Sequence, residues 1–85
     1  MTDLEFDILD ELYFVTSYSD LKEQTGFSDA DLRKGLQKLW EKGWLRGYAS
    51  ISKEAHLQAI DWEKEFVNYY YLASKEGLMA HNGKE

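Results

Sequence analysis

The chain of 85 residues contains no cysteine and no proline, two histidines, and six glycines that never stand together. Without cysteine there is neither a disulfide framework nor a thiolate metal site, and a reducing compartment is compatible with that composition. His56 and His81 lack a partner at zinc-ligand spacing, so both are expected at the surface, and no metal or other cofactor is expected. Gly26, Gly35, Gly43, Gly47, Gly77 and Gly83 make no phosphate-cradling loop. No apolar run approaches the roughly 18 residues that cross a bilayer, and the start Met1-Thr2-Asp3-Leu4-Glu5 lacks the basic opening of a secretory leader. A soluble, cytoplasmic protein without membrane contact is therefore expected. Catalysis finds no constellation either. Ser19-Asp20-Leu21-Lys22 has the Ser-x-x-Lys spacing of an acylation motif, but its companion motifs are absent, so the match reads as chance and no enzymatic activity is expected.

What is abundant is apolar and aromatic: 44% of residues are hydrophobic, with three Trp, six Tyr and four Phe. Large rings bury much area each, so one core is affordable for a chain this short, and residues 1–85 read as a single domain. The net charge of −6 is unevenly spread. Residues 1–31 set nine carboxylates against Lys22 alone, a balance of −8. Residues 32–46 set Arg33, Lys34, Lys38, Lys42 and Arg46 against Glu41, a balance of +4, and residues 47–85 carry −2. An anionic whole argues against non-specific attraction to nucleic acid, while the short basic segment leaves a local contact open.

Local signals order the chain. Thr2 followed by Glu5 opens a first helix with Leu4, Ile8, Leu12 and Val15 on one face and Asp3, Asp7, Asp10 and Glu11 on the other. That carboxylate row reads as a solvated face, because a straight helix splays its carboxylates away from any common cation. Ser17 followed by Asp20 opens a second helix, which Gly26 ends. Ser28 followed by Asp31 opens a third, with Leu32, Leu36, Leu39 and Trp40 as its buried stripe and Gly43 beyond its end. Asp29 and Asp31 then complement the helix dipole in the first turn. Trp44–Ile51 and Phe66–Leu72 have strand composition and read as an antiparallel hairpin, with Ser52–Glu65 forming either a helical turn or an extended wing. Ser74 caps a short last helix, and His81–Glu85 are expected to fray.

Two capped helices joined by Thr25-Gly26-Phe27-Ser28, followed by Glu41-Lys42-Gly43-Trp44-Leu45, resemble the helix-turn-helix and first wing strand of winged-helix transcription regulators. The run Tyr70-Tyr71-Leu72-Ala73-Ser74-Lys75-Glu76-Gly77 is similar to the segment where that family's second wing strand enters its closing helix, commonly Tyr-x-Leu-Thr-x-x-Gly. The resemblance covers most of the chain. It implies an α+β, mostly helical fold, a winged helix: a three-helix bundle with a helix-turn-helix at about residues 17–42, a two-stranded antiparallel wing hairpin and a short C-terminal helix. It also implies a transcription-regulator-like module that binds duplex DNA through the third helix. Ser28, Arg33, Lys34, Gln37, Lys38 and Arg46 are the candidate DNA-binding residues, with Arg and Gln reaching base edges and Lys meeting phosphate. The acidic first helix and the mixed charges of residues 52–65 depart from DNA-binding members. A winged helix used as a protein-protein interaction module without DNA binding is the alternative. Tyr70 points opposite to Tyr69 and Tyr71 on a strand, so one aromatic side of the hairpin faces solvent or a partner, and a homodimer is expected.

Overall fold

Each long helix starts where a hydroxyl can take a free backbone amide. Thr2 Oγ1 accepts from the Glu5 amide at 3.1 Å while the Glu5 carboxylate accepts from the Thr2 amide at 2.9 Å, a complete capping box. Ser17, Ser28 and Ser74 accept from the amides of Asp20, Asp31 and Gly77, each at 3.1 Å. These four caps begin α1 (Asp3–Asp10), α2 (Tyr18–Thr25), α3 (Asp29–Glu41) and α5 (Lys75–Asn82) in a computed structural model that describes residues 2–50, 53–54 and 62–83. The remaining elements are β1 (Thr16–Ser17), β2 (Leu45–Ser50), β3 (Lys53–Glu54), a helical turn α4 (Trp62–Glu65) that runs into a 3-10 turn at Phe66–Asn68, and β4 (Tyr70–Ala73).

The ends are set differently. Gly26 closes α2 at φ 73°, in the left-handed region that side chains resist. Gly43, at φ 77°, follows α3: its amide reaches the Trp40 carbonyl, and the Trp44 amide reaches that of Leu39, the paired bonds of a Schellman ending.

The architecture is α+β and mostly helical, with an antiparallel sheet in the order β1-β4-β2-β3. The central pair is β2 and β4, in register Leu45 with Ala73 through Tyr48 with Tyr70. The expected two-stranded hairpin is thus corrected: β1 adds an edge through Thr16 and Tyr71, and β3 adds the other through Tyr48 and Glu54. The expected strand at Phe66–Leu72 is also shortened, because Phe66–Asn68 is 3-10 and the Phe66 carbonyl accepts the Tyr71 hydroxyl at 2.7 Å. Of Ser52–Glu65, residues 53–54 and 62–65 are the short β3 and α4, and the rest, with His56, lies outside the described residues.

Two further expectations are overturned. The first helix stops at Asp10 instead of running to Val15, because the chain must turn to bring Thr16 and Ser17 to the sheet. The Thr16 hydroxyl lies 2.8 Å from the Phe14 carbonyl and 3.2 Å from that of Glu11, and Leu12, still buried, gives its carbonyl to the Ala73 amide. At the other end α5 continues through Asn82, and His81 is buried against Phe6 and Tyr13 where a frayed, exposed histidine was expected.

The core joins Ile8 and Leu9 of α1, Leu32, Leu36 and Leu39 of α3, and Tyr71 of β4, all with no exposed surface. Burying side chains of this size stabilises the fold by about 1.5 to 3 kcal/mol each. Among the described residues no helix is long and apolar enough to cross a membrane.

Candidate functional site

Leu32, Gly35, Leu36 and Leu39 turn one face of α3 into the core, which fixes what the opposite face presents. There Lys34 and Lys38 are exposed, and Arg33 and Gln37 are half-buried. Four of the candidate residues therefore share one helix. Ser28 stands at its start, exposed, with its oxygen engaged by the Asp31 amide. Arg46 belongs to a different element: it is exposed on β2 opposite Leu72, alternating with the buried Leu45 and Gly47, on the sheet face that also carries Tyr48 and Tyr70.

Charge on α3 is balanced, since Asp29, Asp31 and Glu41 match Arg33, Lys34 and Lys38. Asp29 is tied to α2 and is more than a dipole-complementing acid. It accepts from the Tyr18 hydroxyl at 2.6 Å and pairs with Lys22 at 3.0 Å, and these two contacts, the tyrosine first, lower its pKa. Burial, with Asp29 second, pushes the Tyr18 phenol up. The pair locks the start of α3 against α2.

The acidic helix packs against the opposite, buried side of α3. Glu5, Ile8 and Leu9 point inward, and the space above Gly35 is filled by the Ile8 side chain, so α1 rests on the buried side of α3. Asp3, Asp7 and Asp10, at the i, i+4, i+7 positions, are exposed, with Asp7 and Asp10 bordering α2 and Asp10 also 3.5 Å from His81 Nε2 of α5.

Lys42 counts toward the basic segment in the sequence but is drawn inward. Its ammonium lies 2.7 Å from Glu5 Oε2 and 4.8 Å from the centre of the Trp44 ring. Glu5 is 1% exposed. Burial alone would raise its pKa, yet the Lys42 hydrogen bond and those from the Thr2 amide and hydroxyl outweigh it and hold the carboxyl at about 2. The capping box was visible in the sequence; the ion pair joins residues 37 positions apart and left no local signal.

Two surface grooves lie among the described residues. One, about 210 Å³, lies between α1 and α2 and is lined by Asp7, Asp10, Glu11, Gln24, Thr25 and Phe27. The other, about 360 Å³, is lined by Trp40, Glu41, Gly43 and Leu45 at the end of α3. Among the described residues no three His, Cys, Asp or Glu side chains converge as a metal site would require. No protein family, curated protein or solved structure matches the chain.

Proposed function

We propose that this domain is a winged-helix module that reads duplex DNA, as a homodimer, by placing the outer face of α3 in the major groove. The observation that carries the reading is the set of donors gathered on one helix face: Lys34 and Lys38 are exposed on α3 with Arg33 and Gln37 beside them, while the acidic helix α1 packs on the buried side of α3. From Arg33 to Lys38 the helix rises about 7.5 Å, roughly two base steps, so the four side chains cover a short site per protomer. The net charge of −6 keeps long-range steering weak, and affinity rests on a specific site.

A second reading, docking to a protein, is favoured by one observation. Phe14 is 82% exposed in a segment whose carbonyl is anchored by the Thr16 hydroxyl, an arrangement that holds an aromatic ring in solvent.

Selection from random duplexes at low salt separates the two. An enriched motif is expected, and Arg33→Ala should cost about 1 to 3 kcal/mol and relax preference at one base, whereas Lys38→Ala should weaken all sequences alike and flatten the salt slope by about one unit. No motif, together with unchanged behaviour of an Arg33→Ala, Lys34→Ala double variant, favours protein docking.

A further inference from the structure

His81 sits in the last turn of α5 with 8% of its surface exposed. Its ring stacks on Phe6 of α1, with centroids 4.1 Å apart and planes 18° apart, and meets Tyr13 edge-on at 5.4 Å. Nδ1 is 2.7 Å from the Tyr13 hydroxyl, and that hydroxyl is 3.0 Å from Asn82 Oδ1. An amide oxygen only accepts, so the Tyr13 proton goes to Asn82 and the Tyr13 oxygen is left to accept from Nδ1–H. A neutral ring then carries a bare lone pair on Nε2. That atom is buried and has no hydrogen-bond partner, and the group facing it, Asp10 Oδ1 at 3.5 Å, is itself an acceptor. Two acceptors turned toward each other leave a buried polar atom unsatisfied, which native structures seldom tolerate. A proton on Nε2 resolves the conflict, because the ring then donates to Tyr13 through Nδ1 while its positive charge faces the Asp10 carboxylate at the ion-pair distance of 3.5 Å.

We propose that α5 is held on α1 by a proton-dependent latch, in which protonated His81 bridges Asp10 and Tyr13 and the Asp10 half of the bridge is lost when the proton leaves. Among the described residues, Asp10 from α1 and Tyr13 from the segment after it are the titratable groups facing the ring. β4, packed under α5, presents Tyr71 and Ala73 inward and has no charged residue, and Lys75 and Glu76 stand in the first turn of α5, at the far end from His81. The latch is complete while Nε2 carries a proton, and the Asp10 side opens when it does not.

Asp10→Asn tests this, since the asparagine amide supplies the donor that a neutral Nε2 lacks. In a His56→Gln background, where His81 is the one remaining imidazole, the variant should melt below its parent at about pH 5.5 and regain or exceed the parent at about pH 8.5, a change of about 4 to 8 °C between the two conditions. An Asp10→Asn effect of the same sign and size at both pH values overturns the latch. Amide exchange over Leu78–Asn82 gives a second readout: protection, corrected for intrinsic rates, should rise several-fold on acidification in the parent and not in His81→Gln. Equal protection at both pH values in the parent also overturns it.

Discussion

Replacing Gly77 with alanine is expected to lower stability by about 2 to 3 kcal/mol, in spite of alanine's better helix propensity, worth about 1 kcal/mol. A Cβ there would collide with the Trp44 carbonyl oxygen and stand 3.1 Å from its carbonyl carbon. The obstacle is backbone and cannot rotate aside. The same carbonyl accepts from the Ser74 amide at 2.9 Å, and the Ser74 hydroxyl, which caps Gly77, donates to the Gly43 carbonyl at 2.7 Å. Moving α5 outward to admit a methyl group therefore strains the three bonds that begin the helix. Gly35→Ala is the informative contrast, because its Cβ would meet the terminal methyl of Ile8, a side chain that can turn. Urea denaturation should show a large drop in midpoint for Gly77→Ala at unchanged slope, and a smaller drop for Gly35→Ala. A Gly77→Ala protein as stable as the parent would contradict the close approach of α5 to Trp44.

Lys42→Met should cost about 3 kcal/mol at neutral pH, because it strands a buried carboxylate with only the Thr2 bonds to hold it. The pH dependence has a definite sign. Glu5 is held at about 2 in the fold against an ordinary 4.5, so its stabilisation is full above about pH 4.5 and is lost as the pH falls toward 2. With a depression of this size the acid loss amounts to at most about 3 kcal/mol. In Lys42→Met, burial is no longer opposed by the ammonium, so the Glu5 pKa rises and this acid loss shrinks. Glu5→Gln removes this part of the profile while keeping an acceptor for Thr2. Stabilities measured from about pH 3 to 7 should diverge in this way; parallel profiles for all three proteins would rule out the pair as the source.

Starts of helices were legible in the sequence because a cap is a local device: Thr2, Ser17, Ser28 and Ser74 each act on an amide three residues on. The end of α1 was not, because neither glycine nor proline marks it and the turn there serves contacts made much later in the chain, from Leu12 to Ala73 and from Thr16 to Tyr71. β1 is invisible for the same reason: two residues become a strand only through their partners on β4. The tail was misread from its composition, since His81 is ordered by Phe6 and by Tyr13, the latter 68 positions away. For the candidate site, the helical period put Arg33, Lys34, Gln37 and Lys38 opposite the leucine stripe, where the structure also has them. Counting charge along the chain was less faithful, because Lys42 is turned toward Glu5 and Asp29 is held by Tyr18 and Lys22.

The most direct test of the role proposed for α3 is to map backbone amide shifts by NMR while adding the duplex recovered by selection at low salt. Perturbations are expected to concentrate between Ser28 and Lys38, with a second group around Arg46 and little change at Asp3, Asp7 and Asp10 of α1. Shifts confined to the surroundings of Phe14, or none at all with a duplex in excess, would contradict that role.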